Sequence, residues 1–130
     1  MIDNYITLDK DKCLEVKINR VKKWAHERNI IHGSSLLAQY AKGATEFGEL
    51  ADAILKGDKN DFEDAIGDEL VVLINLCEMA NTDFGTCLDK AWEEIKDRQG
   101  VMFQGAFVKS TDENYERISK IVATQKANMV

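Results

Sequence analysis

The chain has 130 residues, 45% of them hydrophobic and 31% charged. That length suits a single domain with a real core, and the balance excludes a disordered chain. The net charge of −6 is the opposite of what a duplex nucleic acid partner demands and makes a cation the first ligand to look for. The longest apolar run, Leu70 to Cys77, is broken by Asn75 and is far too short to span a bilayer. Met1 to Lys12 is polar with no apolar signal core, and the three cysteines (Cys13, Cys77, Cys87) show no CxxC or CxxH spacing, so free thiols in a reducing cytoplasm are expected.

No proline interrupts the chain, and the elements read as helices. Leu14, Ile18, Val21 and Ala25 recur at helical spacing, predicting a helix over about 11–28 with Trp24 beside the stripe. Asn29 to Ser35 reads as a loop ending in a helix cap. A second helix is predicted over 36–55, with Leu36, Tyr40, Phe47, Leu50 and Ile54 on one face and Gly43 and Gly48 inside it, suited to close helix contact or ligand approach. After a turn at Gly57 to Asn60, a third helix runs to about Ala80. Its first half carries Asp61, Glu63, Asp64, Asp68 and Glu69; its second half is apolar on every side and is expected to be buried, partly by another subunit.

A fourth helix is predicted from Asp83 or Thr86 to Arg98, with Gly100 as its cap. Residues 101–109 read as a short hairpin or extended arm around Gln104-Gly105. Ser110 and Glu113 form a capping box opening a fifth helix with Tyr115, Ile118 and Ile121 on one side. The expected architecture is an all-α bundle of four to five helices in one domain, completed by dimerisation.

Gln39, Lys42, Glu46 and Glu49 line one edge of the second helix, beside its apolar stripe. A lone ExxE on a helix is most often a solvated face, but carboxylates beside a core are expensive unless paired. Asp64 and Asp68 share a face of the third helix, and antiparallel helices joined by a short turn bring them near Glu46 and Glu49. Such a cluster suits a hard divalent cation. Asn75 lies two turns beyond Asp68 on the same face, placed for a base, a sugar or a buried polar contact. His26 and His32 occur in no metal-type pair, and no ExxH supports a ferritin-like centre. Tyr40 and Trp92 at helical spacing read as core residues, and Lys22, Lys23 and Arg28 as a solvated face.

Gln39-x-x-Lys42-x-x-Thr45-Glu46-x-x-Glu49-Leu50-Ala51 resembles the first motif of the MazG-like nucleotide pyrophosphohydrolases, QxxKxxEExxELA, and Asp64-Ala65-Ile66-Gly67-Asp68 is similar to the second, ExxD within EIGD. Trp24-Ala25-x-x-Arg28 with Gly33 upstream, and Ala91-Trp92-x-x-Ile95-Lys96-x-Arg98-x-Gly100 with Gly105-x-Phe107-Val108-Lys109 downstream, resemble the flanks of phage and bacterial members, so the likeness covers most of residues 14–109. It implies hydrolysis of a nucleoside triphosphate to monophosphate and pyrophosphate with magnesium, or manganese in its place. Glu46, Glu49 and Asp68 would be the catalytic metal carboxylates, with Asp64 as a fourth, and Lys42, Gln39, Asn75, Lys96 and Arg98 would contact phosphate or nucleotide. Thr45 and Ala65 stand where the family carries glutamates. The alternative left open is a degenerate, non-catalytic nucleotide-binding or protein-interaction module of the same fold.

Overall fold

The computed structural model describes residues 13–129. Six helical segments and one two-stranded sheet are present among them: α1 (Leu14–Glu27), α2 (Ile30–Gly33), α3 (Leu36–Lys56), α4 (Lys59–Met79), α5 (Phe84–Ile95), β1 (Gly100–Phe103), β2 (Ala106–Lys109) and α6 (Tyr115–Asn128). The all-α expectation holds. Asp11 and Lys12, the expected start of the first helix, lie outside the described residues, as does the polar segment before them. The chain divides into two compact units at residues 86/87.

The first unit is organised around the antiparallel pair α3–α4. Ser35 caps α3, its hydroxyl accepting the Ala38 N–H at 3.1 Å. Gly57 ends α3 in the left-handed region at φ 69°, and its N–H returns to the Ala53 and Ile54 carbonyls. Asp58 follows at once and caps α4 by accepting the Asp61 N–H at 3.0 Å. Two residues therefore reverse the chain and set the register of the two long helices. Gly43 permits their close approach, because a Cβ there would stand 3.1 Å from Val72 Cγ1; Gly48 faces open space. Leu50, Ala53, Ala65 and Val72 fill the seam, and Ile74 is buried on the opposite face of α4.

Two expectations for this unit need correction. Asn29 to Ser35 is not a plain loop: Asn29 takes a left-handed conformation at φ 58° and Ile30–Gly33 form one helical turn, which buries Ile31. The apolar half of α4, expected to be covered partly by another subunit, is half covered among the described residues. Val72 and Ile74 are buried, but Leu70 and Leu73 are each 40% exposed, and Tyr40 on α3 is 66% exposed rather than core.

α1 docks on α4 through Ala25 and through charges at one end: His26 Nε2 lies 3.1 Å from Glu78 Oε1, and Lys22 Nζ 3.4 Å from Glu78 Oε2. The His26 contact, and then Lys22, hold the Glu78 carboxyl below its usual range despite partial burial. A depressed carboxylate contributes stability above its unfolded value of 4.5, and that contribution is lost as pH falls through the lower folded value. Glu78→Gln is therefore expected to lower the melting temperature at pH 7 by roughly 2–4 °C, the scale of a partly exposed ion pair. The difference from wild type should shrink as pH falls below 4.5 and through the lower folded value, as thermal melts at decreasing pH would show.

In the second unit β1 and β2 pair antiparallel in the register Gly100–Lys109, Val101–Val108, Met102–Phe107 and Phe103–Ala106. Gln104 and Gly105, at φ 48° and 80°, make the two-residue turn expected there, whose twist matches the strands. α6 packs on β1 and buries Val122. Gly100 does not cap a helix: α5 ends at Ile95, and Gly100 opens β1, where a Cβ would collide with the Val108 carbonyl oxygen. The capping box is not formed either. α6 starts at Tyr115 without a side-chain cap, and Asp112 accepts the Asn114 N–H at 2.8 Å in a local turn. Trp92, expected in the core, is exposed.

Candidate functional site

Three carboxylates from the α3–α4 pair converge. Glu46 and Glu49, one turn apart on α3, and Asp68 on α4 each offer an oxygen, and these atoms lie within 4.8 Å of one another. The helical spacing brings the two glutamates to one edge; the Gly57–Asp58 reversal brings Asp68 opposite.

Their environments differ. Glu46 is 5% exposed; its Oε1 pairs with Lys42 Nζ at 2.7 Å, and its Oε2 is buried with no hydrogen-bond partner. The Lys42 contact holds the Glu46 carboxyl below its usual range against the effect of burial, and Glu46 in turn raises Lys42. Glu49 is exposed, and its carboxyl is raised chiefly by sharing a hydrogen bond with Glu46 and by that group's charge. Asp68 is raised by burial first, then by the charges of Asp64 and Glu46. One orphaned buried oxygen, one carboxyl raised by its neighbour Glu46 and one raised by burial and nearby charge form a donor set with excess negative charge. A hard divalent cation satisfies such a set, so the residues fit a divalent metal ion.

Asp64 is exposed and stands outside this group of three, though close enough for its charge to act on Asp68. Ala65, three residues before Asp68, is 5% exposed.

A cavity of about 920 Å³ opens beside the carboxylates. Lys42, Glu46 and Asp68 line one part of it; Gln39, Asn75 and Ser34 line another. Asn75 Nδ2 donates to Gln39 Oε1 at 3.2 Å, and Gln39 Nε2 donates to Ser34 Oγ at 3.1 Å. Trp24 and Arg28 also line the cavity, with the Arg28 guanidinium 4.9 Å from the Trp24 ring centroid. This pair is not a plain solvated face, as the charge pattern alone suggested; its i, i+4 spacing was the signal available in the sequence. The structure thus gathers Gln39, Lys42, Glu46, Asp68 and Asn75 around one cavity, with Glu49 at the carboxylate group. Lys96 and Arg98 belong to the second unit. There Lys96 pairs with Glu93 at 2.8 Å, and Arg98 shares a shallow depression with Lys109, Glu94 and Asp97. No helix among the described residues is long and apolar enough to cross a membrane.

Residues 35–101, just over half of the chain, match the family model described as the MazG nucleotide pyrophosphohydrolase domain. The match takes in both motifs and the Trp92–Gly100 segment; the Trp24–Gly33 flank lies before it. Over 70 residues the chain is 33% identical to an uncharacterised 18.2 kDa protein of the rep-hol intergenic region of Haemophilus phage HP1, covering 54% of this chain and 43% of the phage protein. No solved structure matches the chain. With the two motifs, their spacing and the carboxylate geometry in agreement, the chain belongs to the MazG nucleotide pyrophosphohydrolase domain family.

Proposed function

We propose that the protein hydrolyses a nucleoside triphosphate between its α and β phosphates, releasing the monophosphate and pyrophosphate, with magnesium held by Glu46, Glu49 and Asp68. The observation that carries this reading is the convergence of three carboxylates, one with an orphaned buried oxygen, at the side of a cavity large enough for a nucleotide. The chemistry magnesium supplies when bound is neutralisation of phosphate charge and polarisation of the phosphoryl centre. Lys42, already at the carboxylates, is placed to exchange part of its contact with Glu46 for a phosphate oxygen and so to offset charge that grows in the transition state. Lys96 and Arg98 are proposed as further phosphate contacts, and the cytoplasm as the setting. Pyrophosphate release from a panel of nucleotides, with and without magnesium, tests the reading: release that depends on magnesium supports it, and none from any nucleotide overturns it.

One observation favours a second reading. Ala65 is buried at the position where the motif it resembles carries a glutamate, and an alanine offers no ligand oxygen. A chain that binds nucleotides without cutting them would satisfy this geometry, and nucleotide binding without turnover in the same panel would establish it.

The protein is further proposed to form a two-fold dimer. Tyr40, Phe47 and Leu73 are exposed and line one groove along the α3–α4 pair, with Leu70 exposed as well, an apolar surface of the kind a second copy covers. Light scattering at micromolar concentration is expected to give twice the 14.7 kDa chain mass; a single compact 14.7 kDa species would rule the dimer out.

A further inference from the structure

His26 and His32 have no metal-type spacing in the sequence, yet the fold brings their imidazoles together. The ring centroids lie 5.7 Å apart, with the planes inclined at 57°. His26 stands in the last turn of α1 and His32 in the last turn of α2. Between them Asn29 takes the left-handed conformation at φ 58°, which asparagine tolerates better than most side chains, and turns the chain back on itself. The buried Ile31 anchors the short α2 that carries His32.

Glu78 prepares one of the two rings. Its Oε1 lies 3.1 Å from His26 Nε2, and a carboxylate only accepts, so Nε2 carries a proton. In the neutral ring the lone pair then sits on Nδ1, which has no hydrogen-bond partner among the described residues. Lys22 Nζ, 3.4 Å from Glu78 Oε2, holds the carboxylate in place. A carboxylate on one ring nitrogen is the arrangement that orients a histidine whose other nitrogen binds a metal. His32 is exposed, and neither of its ring nitrogens has a hydrogen-bond partner among the described residues.

The separation suits a shared ion. Two imidazoles on one tetrahedral metal, with each nitrogen about 2.0–2.1 Å from it, carry their ring centres roughly 5–6 Å apart. Turns of two exposed side chains, without backbone movement, then suffice to meet an ion at this pair. Imidazole nitrogens suit zinc or nickel(II), whereas carboxylate oxygens suit magnesium, so this pair and the Glu46–Glu49–Asp68 group call for different ions. We propose that His26 and His32 form a second metal site for a borderline divalent cation of the zinc or nickel(II) class, with Glu78 as the positioning residue of His26 and water completing the shell. An ion there ties α2 to the end of α1. Trp24, Arg28, Ile30 and Gly33, from the same stretch of chain, line the cavity, so the tie also holds one of its walls.

The sequence contains two histidines, so the imidazole proton signals report on the site directly. Zinc chloride is titrated into the untagged protein and followed by NMR of those signals, with magnesium chloride as the comparison. One equivalent of zinc is expected to move both rings together, and magnesium neither. His32→Gln, an exposed substitution that leaves the His26–Glu78 contact in place, should weaken zinc binding read at the His26 ring tenfold or more. Glu78→Gln keeps both ligands and should weaken it about 10–100-fold, the usual effect of removing the group that orients a ligating histidine. Zinc in about hundredfold excess over its dissociation constant should raise the melting temperature by several degrees, and His32→Gln should lose that rise. Zinc taken up at cysteines or carboxylates alone leaves both rings unmoved and overturns the inference. So does zinc that moves one ring only, or undiminished affinity in either variant.

Discussion

Glu49→Gln and Asp68→Asn are each expected to reduce pyrophosphate release by about a hundredfold, at the upper end of the usual effect of disturbing a metal site. Both substitutions preserve volume and remove charge, so they leave the α3–α4 seam packed. They should also raise the melting temperature of the metal-free protein at pH 7. The Glu49 carboxyl is raised by the Glu46 hydrogen bond and charge, and that of Asp68 by burial and by Asp64 and Glu46. A carboxyl raised in the folded state binds its proton more tightly there than in the unfolded chain. Folding is thus favoured most at low pH, below the unfolded values of 4.5 and 3.8, and that advantage is lost as pH rises through the folded values. At neutral pH wild type carries the full repulsion; the neutral variants do not. Their gain should fade on acidification, when wild type is protonated as well. Magnesium should reverse the order, stabilising wild type more than either variant. Wild-type-like turnover in either variant at ordinary magnesium concentrations would remove these residues from the site, and melts that show wild type stabler without metal would contradict the crowding of charge.

The helical hairpin was legible because its signals are local, namely the apolar spacing in α3 and α4 and the turn opened by Gly57; the cap at Asp58 starts α4 at Lys59, inside the turn expected over Gly57 to Asn60. The turn at Gln104-Gly105 was legible for the same reason. Gly100 differs from its expected role because a glycine shortly after a helical stripe suits a cap as well as a close strand crossing, and only the position of Val108 decides between them. Ser110 and Glu113 had the spacing of a capping box, but Asp112 competes for the local backbone and α6 starts later. Apolar composition on every side of residues 70–77 points to burial partly by a second subunit, and Leu70 and Leu73, each 40% exposed, lack full cover among the described residues. For the site, i, i+3 spacing foretold the Glu46–Glu49 pair. The Asn75–Gln39 bond, between residues 36 apart, leaves no periodic trace in the sequence.

Asp64→Asn is expected to raise the magnesium concentration for half activity about tenfold, if Asp64 substitutes for the ligand missing at Ala65. The bland account places Asp64 as decoration of the α4 N-terminus, but the helix dipole acts mainly within the first turn. In the structure Asp61 is the acid of that first turn, and Asp64 lies nearly a full turn further in, so the dipole accounts for it poorly. Asp64 instead acts on Asp68 through its charge, and a smaller concavity of about 220 Å³ is lined by Asp64, Asp68, Glu49 and Asp61 together. Against a direct ligand role, Asp64 is exposed and stands outside the group of three converging oxygens. The titration separates the two accounts, because decoration changes stability slightly and leaves the magnesium dependence where it was. Ala65→Glu approaches the question from the other side. Ala65 is buried within the α3–α4 pair, so a glutamate there is costly unless a cation meets it. That variant should melt lower than wild type without magnesium, recover with it, and restore at least part of the affinity lost in Asp64→Asn when the two changes are combined. An unchanged magnesium titration in Asp64→Asn would leave the site to Glu46, Glu49 and Asp68 alone, and Asp64 with no more than an electrostatic influence on Asp68.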